Sequence, residues 1–170
     1  IADRRHLHQH PELAFQEYQT AAFVAERLAA LMGWPSLQGL ALVATVPPQH
    51  SYGFESSVLL ALLGGAAFDS GRPFYPADIV AALERVPRPR ALVTTPFHLK
   101  TLLLSGLALP PVDLVLSATA PLSPQLAAEA EQRLSAQLIE IYGCTEAGQA
   151  VGYGEVVLHV LRRVYDGHRG

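Results

Sequence analysis

The residues best equipped for chemistry lie together in the run Tyr142-Gly143-Cys144-Thr145-Glu146, directly after an apolar segment in which Leu138, Ile139 and Ile141 read as a strand. An aromatic ring can stack on a purine, and a glycine lets backbone approach a ligand closely. Thr145 offers a hydroxyl to a phosphate, and Glu146 offers hard oxygen to Mg²⁺. Such a set at a strand end suits a nucleotide with its metal. The same residues also fit a plain turn, with Thr145 as a turn hydroxyl and Glu146 as a solvated carboxylate. A nucleophilic role for Cys144 is not expected without a base beside it.

A second cluster stands near the other end, where His6, His8 and His10 alternate. Imidazoles at that spacing can converge on a metal from an extended segment. The favoured reading is a polar lead-in to a helix, capped around Pro11, so zinc is not expected. His159 and His168, in a tail with the apolar patch Val156-Val157-Leu158-His159-Val160-Leu161, are read the same way, with no chemistry attached.

The elements that must position these residues alternate. A helix is expected over residues 13–31, where Phe15, Ala22, Phe23, Leu28 and Leu31 recur at helical spacing, and Gly33-Trp34-Pro35 ends it. Strands are expected at 40–46, 66–68, 91–95, 114–117 and 138–142, separated by helices at 54–63, 76–85, 97–104 and 123–136. The fold class is therefore α/β, a mostly parallel sheet with right-handed βαβ crossovers, preceded by an N-terminal helix. Strands such as Ala41-Leu42-Val43-Ala44 are apolar on both faces, as a sheet covered on both sides requires. Asp78 after Pro76 and Ser123 before Pro124 mark helix starts. Ligands in such sheets bind beyond the carboxyl ends of the strands, so the turns after Ser117 and Tyr142 are expected to open on one crevice.

Composition narrows the function classes. With 16% charged residues and a formal net charge of −3, a surface for nucleic acid is not expected. No apolar run approaches the roughly 20 residues of a membrane span, and no charged-then-apolar leader opens the chain. The single Cys144 allows no internal disulfide, which suits a reducing, cytoplasmic setting. At 170 residues, half of them hydrophobic, a sizeable core is expected, and the apolar surplus suits self-association.

Several segments are similar, in order, to motifs of the adenylate-forming superfamily of acyl-CoA and aryl-CoA ligases. They are Val46-Pro47-Pro48-Gln49-His50-Ser51-Tyr52-Gly53, Gly64-Gly65-Ala66-Ala67-Phe68, Ala91-Leu92-Val93-Thr94-Thr95-Pro96, the stretch from Asp113 through Ser117-Ala118-Thr119-Ala120 to Pro124, and Tyr142-Gly143-Cys144-Thr145-Glu146. The resemblance implies ATP and Mg²⁺, a small carboxylic acid as substrate and coenzyme A as thiol acceptor. It places Tyr142 on adenine, Gly143, Thr145 and Ala120 around the nucleotide, Glu146 on Mg²⁺, and His50, Gly53 and Ser117 at the acyl pocket. It also implies a Gly/Ser-rich phosphate loop ending in Lys, and a mobile C-terminal domain carrying another Lys. The only lysine here is Lys100, in an apolar helix, so the expectation is a ligase fragment that is weak or inactive alone. Ser117-Ala118-Thr119-Ala120 lacks the Gly-Gly that the family often has, which leaves the accepted acid open.

The segment Arg4 to Leu13, with Phe15-Gln16-Glu17 and Thr20 to Leu28, instead resembles the N-terminus of the metal-dependent amidohydrolases that include hippurate hydrolases and aminoacylases. Neither that family's Cys/His-Gly-His-Asp run nor its Glu-Glu pair occurs. The chain thus reads as a chimera of an amidohydrolase-like segment over 1–37, an AMP-binding-like α/β fragment over 38–150 and an unassigned tail over 151–170. An amidohydrolase-related protein and a non-catalytic or designed α/β scaffold stand as alternatives.

Overall fold

A computed structural model of the chain describes residues 6, 9–12, 18–142 and 159–163. Helix α1, Tyr18–Met32, precedes strand β1, Ala41–Ala44. Helix α2 follows in three pieces: an α turn at Ser51–Gly53, a π-helical stretch at Phe54–Leu59 and an α segment at Leu60–Gly64. Then come β2 (Ala67–Phe68), α3 (Pro76–Arg85), β3 (Arg90–Thr94), α4 (Pro96–Leu104), β4 (Leu114–Ser117), α5 (Pro124–Leu134), β5 (Gln137–Tyr142) and β6 (His159–Arg163).

The strands form one sheet in the order β2-β1-β3-β4-β5-β6. The first five are parallel, and β6 runs antiparallel to β5. Strand alternation sorts the core into two layers, as expected for a sheet covered on both faces. Leu42, Ala44, Val93, Leu116 and Ile139 pack with Leu28 and Ala29 of α1 and Leu60 of α2. Val43, Leu92, Val115 and Leu138 face the other way, onto Ile79 and Leu83 of α3, Leu99 and Leu102 of α4, and Ala127 and Ala130 of α5. Helix α1, placed in the 1–37 segment by sequence, thus shares a core with strands of the 38–150 segment. Among the described residues no helix is long and apolar enough to cross a membrane.

Proline opens α3, α4 and α5, where its missing N–H costs no helical bond. Thr95 and Ser123 cap α4 and α5 by accepting from the backbone N–H of His98 and Leu126, at 3.3 and 3.2 Å. Gly65, at φ 77°, terminates α2 in the left-handed conformation that glycine adopts without strain. The amino ends of the strands are bolted by side chains. Buried Arg90 donates to the Pro111 carbonyl at 2.8 Å and to that of Val86 at 3.2 Å, while Asp113 accepts from Arg88 Nε at 3.1 Å and from Arg90 N at 2.8 Å.

The spans of α3 and β4 match the expected ones. Elsewhere the differences have local causes. Residues 123 and 135–136 fall outside α5 because Ser123 is its N-cap and Ser135 turns left-handed at φ 51°. Helix α2 begins at Ser51 rather than residue 54, since His50 O accepts from Phe54 N at 2.8 Å and closes the first turn early. The tail contributes β6, which sequence reading left unassigned.

Candidate functional site

The order of the parallel strands reverses at β1: β2 lies on one side of it and β3 to β5 on the other. The carboxyl ends of β1 and β3 are therefore a topological switch point, the place where sheets of this kind receive ligands. Their hydroxyls meet there, with Thr45 Oγ1 2.9 Å from Thr94 Oγ1, both buried. The ladder is loose beside them, since Ala118 N reaches Thr94 O only at 3.4 Å. Tyr52 fills the gap: its hydroxyl lies 3.0 Å from the Thr94 carbonyl and 2.9 Å from that of Leu116, toward both of which it donates. Burial pushes the Tyr52 pKa far up, against the smaller lowering effect of the Thr94 bond, so the hydroxyl stays a neutral donor.

The chain between β1 and α2 delivers that ring. His50 N donates to Pro47 O at 3.1 Å, which folds residues 47–50 into a turn, and His50 itself is exposed. Gly53 then passes so close to this turn that a Cβ would sit 2.2 Å from Pro47 O. Only glycine fits, and the need is proximity rather than an unusual φ. The π-helical stretch begins at the next residue; such segments concentrate at functional sites.

A polar row crosses the sheet at the same edge. Register sets Thr94 beside Ser117 and Ser117 beside Glu140, while Thr45 bonds to Thr94. Leu116 and Ala118 belong to the layer under α1 and α2, so Ser117 points to the opposite face, toward α3 to α5. Its hydroxyl is fully buried with no hydrogen-bond partner among the described residues. Glu140 turns its carboxylate to the loop after β4 and accepts from Leu122 N at 2.9 Å. In that loop Thr119 holds φ at 82°, unusual for a β-branched residue, and Thr119 and Ala120 are exposed. Nearby on α4, His98 Nδ1 lies 2.9 Å from Thr95 Oγ1, and its Nε2 is buried with no partner among the described residues. Burial lowers its pKa.

Of the residues singled out in sequence, His50 lies in the turn after β1, Gly53 is buried in α2, and Ala120 is exposed in the turn after β4. Tyr142 closes β5. Because the strands are parallel, these positions share one edge of the sheet. Ser117 lies at that edge too, but its side chain is buried on the face away from α2. Gly143, Thr145 and Glu146 lie outside the described residues. At the other end, the His6 ring stacks on Phe23, centroids 4.4 Å apart, and His10 Nδ1 lies 2.9 Å from His6 O. Sequence reading gave no role to Tyr52, Thr45, Thr94 or Glu140. The available signal was positional, for the last three each stand where an apolar strand ends or nearly ends.

Residues 8–168 match the family model described as AMP-binding enzyme, a match that overlaps the amidohydrolase-like segment from residue 8 onward. Among solved structures, the chain is similar to a benzoate CoA ligase from Burkholderia xenovorans LB400, with 18% identity and a TM-score of 0.60 over 81% of this chain and 31% of that one. It is similar to ATP-bound MatB from Rhodopseudomonas palustris, with 22% identity and a TM-score of 0.56 over 74% of this chain and 25% of that one. It is also similar to the O-succinylbenzoate CoA synthetase MenE from Bacillus subtilis in complex with ATP and magnesium, with 20% identity and a TM-score of 0.55 over 74% of this chain and 26% of that one. The chain thus spans between a quarter and a third of the length of these ligases, and at such identities the likeness is one of fold. Matched to the family model along nearly its whole length, with the parallel sheet to go with it, the chain belongs to the AMP-binding enzyme family.

Proposed function

We propose that this chain is the portion of an adenylate-forming acid–thiol ligase that builds one wall of its nucleotide and acyl cleft. In that reaction a carboxylate oxygen attacks the α-phosphorus of ATP, the bond to pyrophosphate breaks, and an acyl-adenylate forms. A thiol, such as that of coenzyme A, then attacks the acyl carbon and AMP leaves. The observation that carries the reading is the family match over residues 8–168, together with the return of the turns after β1 and β4 and the end of β5 to one sheet edge.

In this reading Tyr142 stacks on adenine, Gly143 and Ala120 offer backbone to the nucleotide, and Thr145 contacts phosphate. His50, Gly53 and Ser117 border the acyl pocket; Ser117, whose hydroxyl has no partner among the described residues, contributes from behind the sheet edge. Among the described residues no three or more His, Cys, Asp or Glu side chains converge as a metal site. Mg²⁺ would accordingly be held by Glu146 and the nucleotide's own phosphates, where it offsets their charge. Phosphoryl and adenylyl transfer depend on positioned cations and donors, and Lys100 is the sole lysine of the chain. The chain alone is therefore a nucleotide binder with weak turnover or none.

Calorimetry with ATP and Mg²⁺ tests this. The wild-type chain is expected to bind, and Glu146→Ala to weaken binding by about tenfold, the loss of roughly one charge-assisted contact. Equal heats for the two proteins would sink the assignment of Glu146, and no uptake by either would sink the ligase reading.

A further inference from the structure

We propose that Glu140 is a positioning residue that clamps the turn after β4 to the end of β5, fixing the spacing of the two surfaces between which the nucleotide sits. The inference rests on the ligase reading for the identity of the ligand, but its geometry stands apart from it. Leu122 is 8% exposed, and its N–H needs an acceptor that the strand ladder does not supply. The acceptor is the Glu140 carboxylate at 2.9 Å, a charge-assisted bond reaching from β5 across to the loop of its neighbour. Glu140 stands beside Ser117, the last residue of β4, and two residues before Tyr142, the last residue of β5.

The turn needs such a clamp. Thr119 is held at φ 82°, a conformation that persists only where the surroundings over-determine it. On one side of Thr119 the ladder bond from Ala118 N is long, 3.4 Å. On the other side Ser123 turns its hydroxyl forward to cap α5. Between them the Glu140 bond ties this loop to β5. The exposed backbone at Ala120 therefore keeps its place relative to the end of β5 because of a side chain that faces away from the ligand.

The test uses the whole 170-residue chain, with amide hydrogen exchange read residue by residue and calorimetric titration with ATP and Mg²⁺. Glu140→Met keeps the volume and removes the acceptor, Glu140→Gln keeps an acceptor, and Glu140→Asp keeps the charge but shortens its reach by one methylene. In Glu140→Met, exchange at Leu122 is expected to rise by about tenfold or more while core amides such as Leu92 keep their protection, and nucleotide affinity to fall by about tenfold. Glu140→Gln restores both, which a merely bulk-stabilising carboxylate would not require. If Glu140→Met does not fold, Glu140→Asp reads the same two quantities, with the same directions expected. Unchanged protection at Leu122, or accelerated exchange with unchanged affinity, overturns the proposal. If wild type takes up no nucleotide, the ligase reading fails by itself, and the clamp is then decided by whether removing the acceptor, and not replacing it by Gln, releases the Leu122 amide.

Discussion

At Tyr52 a single hydroxyl proton is shared between two main-chain carbonyls of adjacent strands, so its removal leaves two buried acceptors short of a partner. Tyr52→Phe is expected to cost about 1 kcal/mol in urea denaturation, the usual net worth of a buried hydrogen bond. A midpoint equal to wild type would mean that the gap between β3 and β4 closes without the hydroxyl. Gly53 makes a harsher demand, because an added methyl would meet a backbone oxygen at 2.2 Å, which cannot rotate away. Gly53→Ala should destabilise by about 1–3 kcal/mol through forced displacement of the residue 47–50 turn. Neither effect was visible in sequence. The Tyr-Gly pair after His50 reads as part of a motif, yet the reason for the glycine is its distance from Pro47, a contact that exists only once β1 and α2 are folded together.

Among the elements, α4 carries a titrating group whose environment sets a pH dependence. Burial lowers the His98 pKa, so the folded chain holds a neutral imidazole that the unfolded chain protonates at its ordinary value. Its contribution is complete above that ordinary value and is lost as pH falls below it toward the lowered folded pKa. The thermal midpoint of wild type should therefore drop between about pH 7 and about pH 5 more steeply than that of His98→Gln, and parallel curves would refute the assignment. The cap of α5 predicts a pH-independent loss of about 1 kcal/mol for Ser123→Ala, measured by denaturation. The two helices also show how legibility divides. The start of α5 was readable because Ser123-Pro124 carries local capping chemistry, whereas Thr95, expected as the last residue of a strand, caps α4; β4 was readable as a short apolar run. The strand β6, the π-helical stretch and the left-handed Thr119 were not, since each is set by partners distant in sequence. Glu140 was equally hidden, because a carboxylate at a strand end looks like a solvated one until the neighbouring loop is placed over it.

For the molecule as a whole, the alternation of strands and helices was enough to derive a covered parallel sheet, and that sheet brings the turns after β1 and β4 and the end of β5 to one edge. The expectation of a nucleotide ligand came mainly from motif order, and the match over residues 8–168 shows the family to which those motifs belong. If the nucleotide binds only the folded chain, ATP with Mg²⁺ at a hundred times its dissociation constant should stabilise it by about 2.7 kcal/mol, raising the thermal midpoint. A midpoint insensitive to nucleotide would favour a non-catalytic scaffold. The π-helical stretch Phe54–Leu59 carries a different consequence, for the tolerance of the chain to changes in length. Wider turns store a surplus residue. Deleting one there, Val58 for instance, would let the segment tighten into an ordinary α-helix while the turns before and after it keep their phase, because the tighter turn sweeps nearly the same angle with one residue fewer. The phenol would stay on the sheet and keep the seal between its central strands, so this is the one stretch of the helix where a shortened chain could lose a residue and hold its architecture.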